Sequence, residues 1–88
     1  MEISQLEWDV LNSVYFVETF DKILEEVDAP TPVVADVIKT LIHKKMIVSM
    51  QWDEQKQDYI RSFMYDSDNM QSYAYLITKE GLLAHNTL

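Results

Sequence analysis

At 88 residues the chain has room for a single domain with one core, residues 1–88, and a chain this short hides only roughly two-thirds of its unfolded surface. Its composition, 48% hydrophobic, 25% charged and 11% aromatic, is that of a folded domain and not of a disordered one. It has no cysteine, which excludes disulfides and thiolate metal sites, and its net charge of -8, from 15 acids and 7 bases, repels phosphate at long range.

No apolar run approaches the ~20 residues of a membrane span. The start, Met1-Glu2-Ile3-Ser4, lacks the basic flank of a signal peptide. A cytoplasmic protein with no membrane partner is the expectation. The charge is uneven: residues 1–30 hold eight acids and one base, residues 31–65 hold four acids and five bases, and residues 66–88 hold three acids and one base.

The first helix opens at Ser4, which with Glu7 fits a capping box, and Ile3 and Trp8 sit at the two positions of a hydrophobic staple. Leu6, Val10, Leu11, Val14 and Val17 continue at helical spacing. Thr19 caps a second helix with Phe20, Ile23, Leu24 and Val27 as its buried stripe. Asp28-Ala29-Pro30-Thr31-Pro32 breaks it, because proline disfavours helix in the residue before it. Thr31 then caps a third helix over residues 32–45 with Pro32 at its first position. Val34, Val37, Ile38, Leu41 and Ile42 make its buried face. Pro32, Asp36, Lys39, Thr40 and His43 make the opposite face, and Lys44 and Lys45 suit the negative end of the helix dipole.

From Ile47 the period becomes two. Val48, Met50 and Trp52 alternate with Ser49 and Gln51, which predicts a strand. Asp53-Glu54-Gln55-Lys56 is a polar turn, and Tyr59 to Tyr65 predicts a second strand. Asp66-Ser67-Asp68-Asn69 is a turn cluster, after which Tyr73, Tyr75 and Ile77 alternate with Ala74 and Leu76 as a final strand. Thr78 caps a short last helix through His85. The expected fold is α+β: three helices, a β-meander and a short C-terminal helix, with helices two and three joined by a tight turn.

In this order the chain resembles the winged helix-turn-helix superfamily of small regulators. The stretches that carry the resemblance are Thr19-Phe20-Asp21-Lys22-Ile23-Leu24, the turn through Pro30, Val34 to Val48, and Tyr75-Leu76-Ile77-Thr78-Lys79-Glu80-Gly81. The resemblance implies a three-helix core followed by an antiparallel β-wing. Such regulators usually carry glycine between the third helix and the first wing strand, where this chain has Lys45-Met46, so the helix is expected to end differently here. Glycine is also common between their second and third helices; here the residues are Asp28-Ala29.

Chemistry is hard to place on these residues. His43 and His85 stand far apart with no second histidine at ligand spacing, so no metal and no cofactor are expected, and both read as solvent-facing helix residues. Acid pairs such as Glu25-Glu26 point in different directions on a helix. The lone Gly81 allows no phosphate loop and no nucleophile elbow, so no enzyme is expected. Two binding uses remain. DNA contact falls to Lys39, Thr40, His43, Lys44, Lys56 and Arg61, although base readout favours Arg, Lys, Asn and Gln and the exposed face of the third helix offers only Lys39, with Thr40, His43 and an acidic Asp36. The second half is rich in Tyr and Met, with Tyr59, Met64, Tyr65, Tyr73 and Tyr75 as interface candidates. These residues either pack the sheet on the helices or form a surface for a second copy or another protein. Protein contact, by homodimer or adaptor, is the first expectation, and DNA-binding transcription regulation is the alternative.

Overall fold

A computed structural model describes residues 3–87. The order is α1 (Gln5–Ser13), β1 (Glu18–Thr19), α2 (Phe20–Glu26), α3 (Thr31–His43), β2 (Ile47–Asp53), β3 (Asp58–Ser62), β4 (Ala74–Ile77) and α4 (Lys79–Asn86), with a 3₁₀ turn at Met70–Ser72 before β4. It is an α+β fold with a four-stranded antiparallel sheet. No helix among the described residues is long and apolar enough to cross a membrane.

The caps behave as side-chain chemistry dictates, with one exception. Ser4 Oγ accepts from the Glu7 N–H at 3.1 Å while Glu7 Oε1 accepts from the Ser4 N–H at 2.9 Å, closing the capping box. Thr19 and Thr78 cap α2 and α4 through the N–H groups of Lys22 and Gly81. The third helix differs from expectation. Its cap is Pro30, whose carbonyl accepts from Val33 and Val34 at 3.0 Å each, so Thr31 lies inside the helix and makes no side-chain cap. The first helix is also shorter than its apolar spacing suggests. It ends at Ser13, where the Val14 carbonyl accepts from the Ile77 N–H at 2.9 Å and ties the helix end to β4. Val17 falls outside it, just before the short strand β1, which the sequence pattern does not reveal.

The exit from α3 carries a correction as well. The Met46 N–H donates to the Leu41 carbonyl and the Lys45 N–H to the Ile42 carbonyl, each at 2.9 Å, which is a Schellman ending. The position that favours glycine holds Lys45 at φ 64°. The helix thus ends in the left-handed conformation that favours glycine, with a lysine in it, and not in the different way expected.

The strands do not form a meander. The sheet order is β1-β4-β2-β3, so the last strand inserts between the first and second and pairs with both. The segment after β3 therefore crosses over instead of turning back, and its Met70 enters the core. Fully buried Val10, Leu11, Val14, Ile23, Val34, Ile38 and Leu41 meet Met46, Ile47 and Tyr75 there. Leu24 and Val37, expected in the core, are half-buried at its rim. The Tyr75 hydroxyl donates to the Met70 carbonyl at 2.8 Å, fastening the crossover to the sheet. Burial, with Tyr65 and Tyr73 nearby, pushes that hydroxyl far above the usual tyrosine range.

Candidate interaction surfaces

The face of α2 turned to solvent is acidic. Asp21, Glu25 and Glu26 are exposed along it and Asp28 just beyond it, against a single exposed base, Lys22, which sits 3.8 Å from Glu25. The outward face of α3 bears Pro32, Asp36, Thr40 and His43, all exposed, with Lys39 half-buried on the same side. The Thr40 hydroxyl is turned inward onto its own helix, donating to the Asp36 carbonyl at 3.0 Å. Lys44 is engaged: its ammonium lies 2.7 Å from the largely buried Glu7 carboxylate and joins the end of α3 to the start of α1. Burial raises the Glu7 carboxyl, but the Lys44 hydrogen bond and the Ser4 N–H outweigh it and hold it below the ordinary glutamate value.

The other basic candidates, Lys56 and Arg61, lie on the β2–β3 hairpin. Lys56 is exposed in its turn, where the Asp53 carboxylate accepts from the N–H groups of Gln55 and Lys56. Arg61 is exposed on β3 with its guanidinium 4.9 Å from the centre of the Phe63 ring. A groove of about 480 Å³ between the end of α3 and this hairpin is lined by Ile42, Lys45, Arg61, Ser62 and Phe63 among others. Lys45 thus joins Arg61 at one groove although the sequence singled out only the latter. Among the described residues, no group of three or more His, Asp or Glu side chains is placed to hold a metal ion.

The aromatic candidates separate. Tyr75 is fully buried and is no interface residue; its place on the central strand, facing the helices, decides that. Tyr65 and Tyr73 are half-buried against the core and meet edge to face at 6.3 Å. Tyr59 is half-buried and packs edge to face on Trp52 across the hairpin at 5.1 Å. Met64 is 85% exposed, and so is its neighbour Phe63. Trp52 and Ile60 are also exposed on the hairpin, and Phe16 and Leu83 elsewhere. The sequence reading missed Phe63, Trp52 and Ile60. The available signal was the strand period: the apolar set Val48, Met50 and Trp52 faces away from the helices, while Ile47 and Ser49 face the core.

His43 is exposed as expected, but His85 is not a free surface residue. Its ring stacks on Trp8 at 4.4 Å, its Nδ1 lies 2.8 Å from the Tyr15 hydroxyl, and its Nε2 lies 3.2 Å from the Asn12 side-chain oxygen. It docks α4 on α1.

No family model, curated protein or solved structure matches the chain.

Proposed function

We propose that this chain is a winged-helix protein that performs no chemistry of its own and acts through protein contacts, as a homodimer or an adaptor in the cytoplasm. The helix order, the tight link between α2 and α3, and the long β2–β3 hairpin support the winged-helix reading. The acidic face of α2 carries the choice of partner. In helix-turn-helix proteins the first helix of the pair crosses the phosphate backbone while the second enters the major groove. Here that first helix would set Asp21, Glu25 and Glu26 beside phosphates with only Lys22 in compensation. The groove-facing helix adds an exposed Asp36, and its Lys44 is bound to Glu7. Four exposed apolar side chains lie on the hairpin or just past its end, Trp52, Ile60, Phe63 and Met64.

The two partners respond to salt with opposite sign. DNA binding that neutralises phosphates weakens steeply between roughly 50 and 200 mM salt through counterion release. Contact between two chains of net charge -8 does not weaken, because salt screens their repulsion. Light scattering and a titration against a pool of DNA duplexes, both across that range, test the reading. Self-association that holds or tightens with salt is expected. Submicromolar binding to a selected duplex, lost in Lys39→Glu, overturns the proposal in favour of a DNA-binding regulator.

A further inference from the structure

Among the described residues the sheet order leaves β3 without a neighbour on its outer side, whereas the opposite edge, β1, is two residues long. The direction of its free backbone groups follows from the ladder. Thr78 N–H donates to the Met46 carbonyl at 2.9 Å, and hydrogen-bonded pairs recur every second residue. Val48 and Met50 therefore bond to Leu76 and Ala74 on β4. The intervening Ser49, Gln51 and Asp53 bond to Ser62, Ile60 and Asp58 on β3. The N–H and C=O groups of Tyr59 and Arg61 then point outward. Strand edges of this kind are templates for pairing with another chain.

Resting on the protein-contact reading above, we infer that β3 pairs antiparallel with β3 of a second copy about a two-fold axis at Ile60. Four backbone hydrogen bonds form, between Tyr59 of each copy and Arg61 of the other. The residues themselves select this register. An axis at Arg61 sets guanidinium against guanidinium. An axis at Tyr59 calls on Gln57, whose φ of 51° is left-handed and not extended. An axis at Ser62 calls on Phe63, which lies past the end of the strand. With the axis at Ile60, each Arg61 faces the other copy's Tyr59, a cation on an aromatic ring. The half-exposed Ile60 side chains meet on the opposite face. Phe63 and Met64 come to lie beside the other copy's hairpin turn. Charge permits the approach. Residues 53–64 contain Asp53, Glu54 and Asp58 against Lys56 and Arg61, a net charge of -1. The acidic α2 packs on β1, at the far edge of the sheet.

The chain has no cysteine, so single cysteines report the register directly. Directly opposed residues in a non-hydrogen-bonded pair have Cα atoms about 4.5 Å apart, within disulfide range. Ile60→Cys is expected to form a disulfide dimer under mild oxidation, at concentrations where the native chain sediments as a dimer, and Ser62→Cys is not. Tyr59→Lys and Arg61→Glu are each expected to weaken dimerisation about tenfold. An equimolar mixture of the two is expected to recover it, since the introduced charges then face each other; recovery also shows that both variants fold. A native chain that stays monomeric at high micromolar concentration overturns the inference. So does a dimer that Ser62→Cys and not Ile60→Cys traps, or one that neither traps. A dimer untrapped at Ile60 leaves the protein-contact reading standing, whereas specific, salt-weakened DNA binding strikes that reading itself.

Discussion

Replacing Gly81 by alanine sets two effects of opposite sign against each other. Gly81 lies in the first turn of α4, and alanine at an unobstructed helical position is favoured over glycine by about 1 kcal/mol. Here the space is taken. A Cβ at this position would stand 2.2 Å from the Met46 carbonyl oxygen and 2.7 Å from Ile77 Cγ1. Ile77 can change rotamer, but the Met46 carbonyl cannot withdraw freely, because it accepts the Thr78 N–H at 2.9 Å and belongs to the Schellman ending of α3. Relief requires α4 to move off the sheet by about 1 Å, since carbon contacts settle near 3.5 Å or more. Forcing extra atoms into packed structure costs about 1–3 kcal/mol, and rigid backbone places this case at the upper end. The net expectation is a loss of about 2 kcal/mol, or a fall in Tm of about 8–16 °C for a domain of this size. Urea unfolding followed by tryptophan fluorescence measures it, because Trp8 stacks on His85 of the same helix. A midpoint equal to or above that of the native chain refutes the close approach of α4 to Met46.

Three further perturbations test the same packing. Leu41→Ala removes a fully buried side chain and is expected to cost about 2–5 kcal/mol in chemical unfolding; less than about 1 kcal/mol would place Leu41 outside the core. Lys45→Gly relieves a left-handed non-glycine residue at φ 64° and is expected to stabilise by about 1 kcal/mol, a gain that a merely exposed lysine would not give. Glu7 is held below its ordinary value in the folded chain, so its contribution is present above the unfolded glutamate pKa of about 4.3 and is lost as pH falls through the lower folded value. The stability gap between the native chain and Lys44→Met is therefore expected to be widest near neutral pH and to close in acid, and a gap independent of pH counts against the ion pair.

Local chemistry was legible wherever one side chain determines one backbone bond. Ser4, Thr19 and Thr78 name the starts of α1, α2 and α4, because each places an oxygen over the free N–H groups of its own helix. Thr31 misled because Pro30 already supplies the extended entry and the carbonyl that the helix needs. Strand pairing was not legible in the same way. Nothing in residues 63–73 distinguishes a return turn from a crossover, and what decides it is non-local: β4 pairs with both β2 and β1, setting Ile77 opposite Ile47 and Tyr75 opposite Glu18.

The exposed apolar surface was half-legible for a related reason. The Tyr and Met content after residue 58 pointed alike to Met64, which is exposed, and to Tyr75, which is buried, because content does not say which side of a strand a residue occupies. Period two assigns Val48, Met50 and Trp52 to one face without saying whether helices cover it. The turn at Lys45 decides: once Met46 and Ile47 are drawn into the core, Ser49 must follow on the same side and Trp52 must emerge on the other. Register then carries the consequence outward. Ser49 opposite Ser62 fixes Trp52 opposite Tyr59 and leaves the backbone of Tyr59 and Arg61 facing away from the sheet. The same alternation that buries Ile47 thus accompanies a register in which the backbone groups of Tyr59 and Arg61 on β3, nearly the length of the hairpin away, lie at the open edge of the sheet.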